Sequence, residues 1–120
     1  MEYSIPEHRV LNLKEIELLN YLFNKEKPEW VSLIPQLKVI ARCGCGECPT
    51  ILLGQSLDSE ILPGSLIIDY IGKDSSGHLI GISVFGTDQM PTQLELFSVD
   101  GIAVSLSIPE IFTLERASFH

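Results

Sequence analysis

LIIDYIGKDSSGHLIGISVFGTDQMPTQLELFSVDG, residues Leu66 to Gly101, reads as three antiparallel β-strands in a meander. In the middle segment Ile80, Ile82 and Val84 fall on one face, and Leu79, Gly81, Ser83 and Phe85 on the other. That is the period of two a pleated strand imposes. Residues 66–72 are rich in β-branched side chains, and the polar, glycine-containing Lys73-Asp-Ser-Ser-Gly77 suits a short hairpin loop. Thr87-Asp-Gln-Met-Pro91 is a second turn, and the alternation from Gln93 to Val99 ends at Asp100-Gly101. Three strands with one apolar face need a second layer to cover it.

Upstream residues supply that layer. Asn12 followed by Glu15 has the form of a capping box, and Leu13, Ile16, Leu19, Leu22 and Phe23 recur at helical spacing, predicting a helix that ends near Asn24. Lys25-Glu-Lys-Pro28 breaks it, and Pro28 suits the first turn of a second helix bearing Trp30, Leu33 and Ile34, which Pro35 interrupts or ends. Residues 1–11 read as an irregular lead-in or a short edge strand. Between helices and meander, 37–43 and 50–54 are β-prone segments flanking Cys-Gly-Cys-Gly-Glu-Cys-Pro, and Pro49 limits ladder pairing where the second begins. Residues 109–114 form a last short strand or a helical turn. The expected fold is α+β: one domain over 1–120, two N-terminal helices (12–35) packed on a mainly antiparallel sheet of five to six strands (37–115), with strands near 37–43, 50–54, 66–72, 78–86 and 93–99.

A chain of 120 residues, 45% of them apolar and with a mean hydropathy of +0.24, can bury a single core without obligatory disulfides. No apolar run approaches the roughly 20 residues of a membrane span, and Met-Glu-Tyr-Ser-Ile-Pro-Glu lacks the pattern of a secretion signal, so a cytoplasmic location is expected. Three cysteines within six residues fit a reducing compartment better than a secreted disulfide framework.

The net charge of −8 is unevenly placed. Residues 1–42 carry six acids and six bases; residues 43–115 carry ten acids and Lys73 alone. An acidic sheet half repels phosphate backbones, which argues against nucleic-acid binding, and steers a basic protein toward itself. The carboxylates expected to contact such a partner are Asp69 and Glu95 in mid-strand and Asp74 and Asp100 at adjoining turns.

Cys43, Cys45 and Cys48 are the candidate metal ligands. A closed zinc site needs a fourth ligand, which His78 or another His could supply from elsewhere, but the chain has no second Cys-x-x-Cys. Redox use lacks a helix N-terminus to stabilise the thiolate. Structural thiols in a tight hairpin with no obligatory metal are therefore the preferred reading, with zinc or thiol chemistry as the alternative. An enzyme is not expected. His8, His78 and His120 are isolated, and no P-loop, G-x-G-x-x-G or H-E-x-x-H occurs.

R-C-G-C-G-E-C-P at 42–49, D-S-S-G-H-L-I-G-I-S-V-F at 74–85 and L-E-L-F-S-V-D-G at 94–101 together resemble small bacterial proteins that share a CGCG(x)CP hairpin and a closing L-E-x-x-S-x-D-G strand. The resemblance spans roughly residues 37–101. In size and acidity the chain is similar to immunity proteins of contact-dependent growth inhibition and polymorphic toxin systems. That likeness implies a protein-binding role: neutralising a basic, nuclease-type toxin domain.

Overall fold

The computed structural model describes residues 4–43, 50–56, 62–99, 101 and 107–117. Its elements are β1 (Ser4–Val10), α1 (Leu13–Glu26), a 3-10 segment (Pro28–Gln36), β2 (Lys38–Cys43), β3 (Ile51–Gly54), β4 (Ser65–Lys73), β5 (Leu79–Gly86), β6 (Pro91–Ser98), a 3-10 turn (Ile111–Thr113) and β7 (Glu115–Arg116). The fold is α+β, with the two helical elements packed against one antiparallel sheet ordered β1-β2-β3-β6-β5-β4-β7. The five expected strands are all in it. Among the described residues the sheet has seven strands against the expected five to six, because the lead-in pairs with β2 as an edge strand and Glu115–Arg116 pairs with Tyr70 and Ile71 on the far side.

α1 starts where the capping box predicts. The Asn12 side chain accepts the Glu15 amide at 2.9 Å, and Glu15 accepts the Asn12 amide at 2.9 Å. The buried stripe differs from the one expected: it runs Glu15, Leu18, Leu19, Leu22 and Phe23, whereas Leu13, at the first helical position, is 70% exposed. Glu15 tolerates burial because Arg9 holds it with two parallel bonds, Nη1 to Oε1 and Nη2 to Oε2, both 2.9 Å. Glu15 first, then Glu7, raises the Arg9 pKa further above its already high range, against the opposing effect of burial. Glu7 also reaches Arg42 at 3.2 Å, so charge of both signs is spent in tying β1 to α1 and β2.

Pro28 opens the next segment, which stays 3-10 through Gln36 with Pro35 inside it. Pro35 lacks the amide that an α-helix would need there. Trp30 is thereby delivered into the core against Phe23, rings edge to face with centroids 5.4 Å apart. Leu18, Leu19, Leu22, Phe23 and Trp30 meet the inner sheet face of Val39, Ile51, Leu53, Ile68, Ile80, Ile82, Val84, Leu94 and Leu96. Burial of each such side chain contributes about 1.5–3 kcal/mol.

At the other end of α1, Glu26 Oε2 accepts from Tyr70 Oη at 2.8 Å, Arg116 Nε at 3.0 Å and Arg116 Nη2 at 2.6 Å. Burial pushes the Glu26 carboxyl up, but bonds from Tyr70 and Arg116 outweigh it and hold the group below its usual range. The Tyr70 phenol moves up, through burial and then through Glu26. Among the described residues, no helix is long and apolar enough to cross a membrane.

Candidate partner-binding face

The inner face of the sheet is filled by the core, so any site the strands present lies on the outer face. Register decides what appears there. Asp69 is opposite Ser83, and Ser83 is opposite Glu95, so the three form a row across β4, β5 and β6. Strand spacing sets the two carboxylate-bearing positions about 9–10 Å apart, with the serine between them. Directly behind them, Tyr70, Ile82 and Leu96 form the matching row on the core side.

Ser83 is 6% exposed and donates to Asp69 Oδ1 at 3.2 Å. Asp69 and Glu95 are half-buried. On one side of the row lie Ile71, Gly81 and Phe97; a side chain at Gly81 would collide with the Phe97 ring, so glycine lets that ring lie flat across β5. On the other side lie Phe85 and Gln93. Two carboxylates between aromatic rings, on central strands that cannot shift without breaking the sheet, offer acceptors to a guanidinium or ammonium and flat apolar surface to its stem.

The other expected site residues are elsewhere. Asp74 sits at the tip of the β4–β5 hairpin, 7% exposed, where Oδ1 accepts the amides of Ser76 and His78, each at 2.9 Å, and Oδ2 lies 3.4 Å from His78 Nδ1. The His78 amide is the largest influence holding this carboxyl below the usual range; burial opposes it, and Ser76 and the His78 ring add to it. Its oxygens are occupied in shaping the turn, and Gly77 supplies the positive φ of 85° that the turn requires. Asp100 lies outside the described residues. Cys43 ends β2 opposite Ser4, and Cys45 and Cys48 lie outside the described residues. Among the described residues, no three His, Cys, Asp or Glu side chains gather where they could hold a metal ion.

Reading residue types alone missed Ser83 as the partner of Asp69. The alternation put Ser83 on the outer face, but only register brings the two together. Compared with protein-family models, curated proteins and solved structures, the chain matches none of them.

Proposed function

We propose that the protein is an acidic protein-binding module that presents the outer face of its sheet to a basic partner, most concretely as a cytoplasmic immunity protein covering a cationic, nuclease-type toxin domain. The observation that supports this reading best is the row Asp69, Ser83, Glu95 on the three central strands of the acidic half. Excess acid in this half accelerates encounter with a cationic surface, and the half-buried carboxylates on the row then discriminate by pairing. Asp74 contributes through the shape of the hairpin rather than through direct contact.

Affinity capture with the intact protein, followed by titration of the captured partner at two salt concentrations, tests the proposal. Asp69→Asn and Glu95→Gln are expected to weaken the complex by about 2–5 kcal/mol where the carboxylate becomes buried and paired, and exposed acids such as Asp88 to alter mainly the salt-dependent association rate. Wild-type affinity in the double variant at low salt would remove the outer face from consideration.

A further inference from the structure

The two sides of the sheet end differently. On one side β1 carries Pro6, the polar run Glu7-His8-Arg9 and a register shift between Pro6 and Arg9, all of which deter a further strand from pairing. On the other side β7 covers only part of β4. Tyr70 and Ile71 pair with Arg116 and Glu115, the Asp69 carbonyl accepts the Ala117 amide at 2.9 Å, and the Lys73 backbone is closed off by the Glu110 amide at 2.9 Å and the Thr113 hydroxyl at 2.8 Å. Among the described residues, 65–68 pair with β5 alone, Leu66 opposite Phe85 and Ile68 opposite Val84, and no strand lies along their other side.

This open end of β4 is anchored and apolar. Gly64 lies so close to the Gly86 backbone and the Thr92 hydroxyl that an added methyl group would collide with both, which pins the start of β4 against the β5–β6 turn. The bulge between Leu66 and Ile68 breaks the alternation and leaves two adjacent apolar side chains outside, Leu66 50% and Ile67 37% exposed, with Leu62 43% exposed just upstream. Backbone amides and carbonyls on an open edge are matched by the backbone of another extended chain, and the apolar side chains beside them reward its docking. Charge selects the occupant. Residues 62–69 and 83–92 contain Asp69 and Asp88 and no Lys, Arg or His, in a chain of net charge −8. A second copy would bring the same excess of acid, whereas a basic segment is attracted.

We propose that the open edge of β4 at residues 65–68 takes an extended segment of a basic partner, added as a short strand of about four or five residues. Apolar side chains of the segment lie against Leu66 and Ile67, and its Lys or Arg side chains face Asp69 and Asp88. β7 blocks further pairing at one end, which keeps the added strand short. The contact is made by backbone at the rim of the sheet, so it stands or falls separately from the row Asp69, Ser83, Glu95 on the outer face.

The test titrates the intact protein with the peptide acetyl-Lys-Val-Lys-Val-Lys-amide, its counterpart with Glu in place of Lys, and the lysine peptide N-methylated at alternate residues, following amide shifts and hydrogen exchange. The lysine peptide is expected to bind saturably and weakly, shifting and slowing amides within residues 65–69. The glutamate peptide should bind about 3- to 5-fold more weakly, and the N-methylated peptide, which cannot complete the backbone pairing, at least about 10-fold more weakly. Leu66→Ser should weaken the lysine peptide about 3-fold or more while unfolding remains cooperative; should that variant fail to fold, the peptide series still decides. Equal binding of the N-methylated peptide, equal binding of the glutamate peptide, or no saturable shift within 65–69 would overturn the proposal. So would edge amides as slow to exchange in the free protein as that of Leu96, which would mean that the chain covers this edge itself. Shifts confined to Ser83, Glu95 and their row would also overturn it, in favour of the outer face, and a dimer dispersed by Leu66→Ser would assign the edge to a second copy.

Discussion

Thr50→Val tests a slender joint in the middle of the sheet. Among the described residues, β3 and β6 are paired directly at Ile51 with Leu94 and Leu52 with Gln93. Just before β3, the Thr50 hydroxyl accepts the Leu96 amide at 3.2 Å and donates to the Leu96 carbonyl at 3.4 Å. Thr50 is 3% exposed and Leu96 is also buried, so water does not readily replace the hydroxyl. Valine keeps the branching and nearly the volume; the lost chemistry is the pair of bonds. The amide bond is worth about 1 kcal/mol, the longer carbonyl bond less, and leaving buried backbone groups unpaired adds about 1–3 kcal/mol. A net loss of about 2–3 kcal/mol is expected, or roughly 7–15 °C in Tm for a domain of this size. Urea titration gives the stability and native-state hydrogen exchange gives the cause: the Leu96 amide should lose protection in Thr50→Val and retain it in Thr50→Ser, which sacrifices only a methyl group at about 1 kcal/mol. A valine variant within about 0.5 kcal/mol of wild type, with Leu96 exchange unchanged, would refute this account of the joint.

Asn12→Ala removes the helix cap and should cost about 1 kcal/mol in urea titration, with fraying confined to the first turn of α1. Gly86→Ala places a methyl group 2.7 Å from both the Met90 carbonyl oxygen and Trp30 Cη2, neither of which can yield easily, so calorimetry should show a loss of about 1–3 kcal/mol. The Asp74 carboxyl titrates below its ordinary value of 3.8, so its contribution is complete above that value and is lost as pH falls through the lower folded one. Thermal melts at neutral and strongly acidic pH should therefore differ less in Asp74→Asn than in wild type.

The meander was legible because its information is local: period two in Ile80, Ile82 and Val84, and glycine-bearing or proline-bearing turns on both sides. The start of α1 was legible for the same reason, since both halves of the capping box lie within four residues. The first strand was ambiguous because Pro6 and a register shift between Pro6 and Arg9 break its alternation, and because its partner is β2, across the whole helical layer. Pro49 lies outside the described residues, and that the Thr50 hydroxyl takes up the Leu96 amide is a tertiary fact no local pattern carries. Asp69 and Glu95 were recognisable as mid-strand acids, but their alignment through Ser83 follows from register. The turn role of Asp74 had a readable sign, an aspartate two and four residues ahead of amides in a glycine-bearing loop.

The strand order also sets a folding schedule. Ile71 meets Gly81 across 10 positions and Ile82 meets Leu96 across 14, whereas Ile51 must find Leu94 across 43. Two doublings of loop length add about 1.2 kcal/mol of closure entropy before that contact returns anything. The meander is thus the natural nucleus, and the β3–β6 junction closes late, on a template already formed. Substitutions at Thr50 should accordingly accelerate unfolding while leaving the folding rate nearly unchanged.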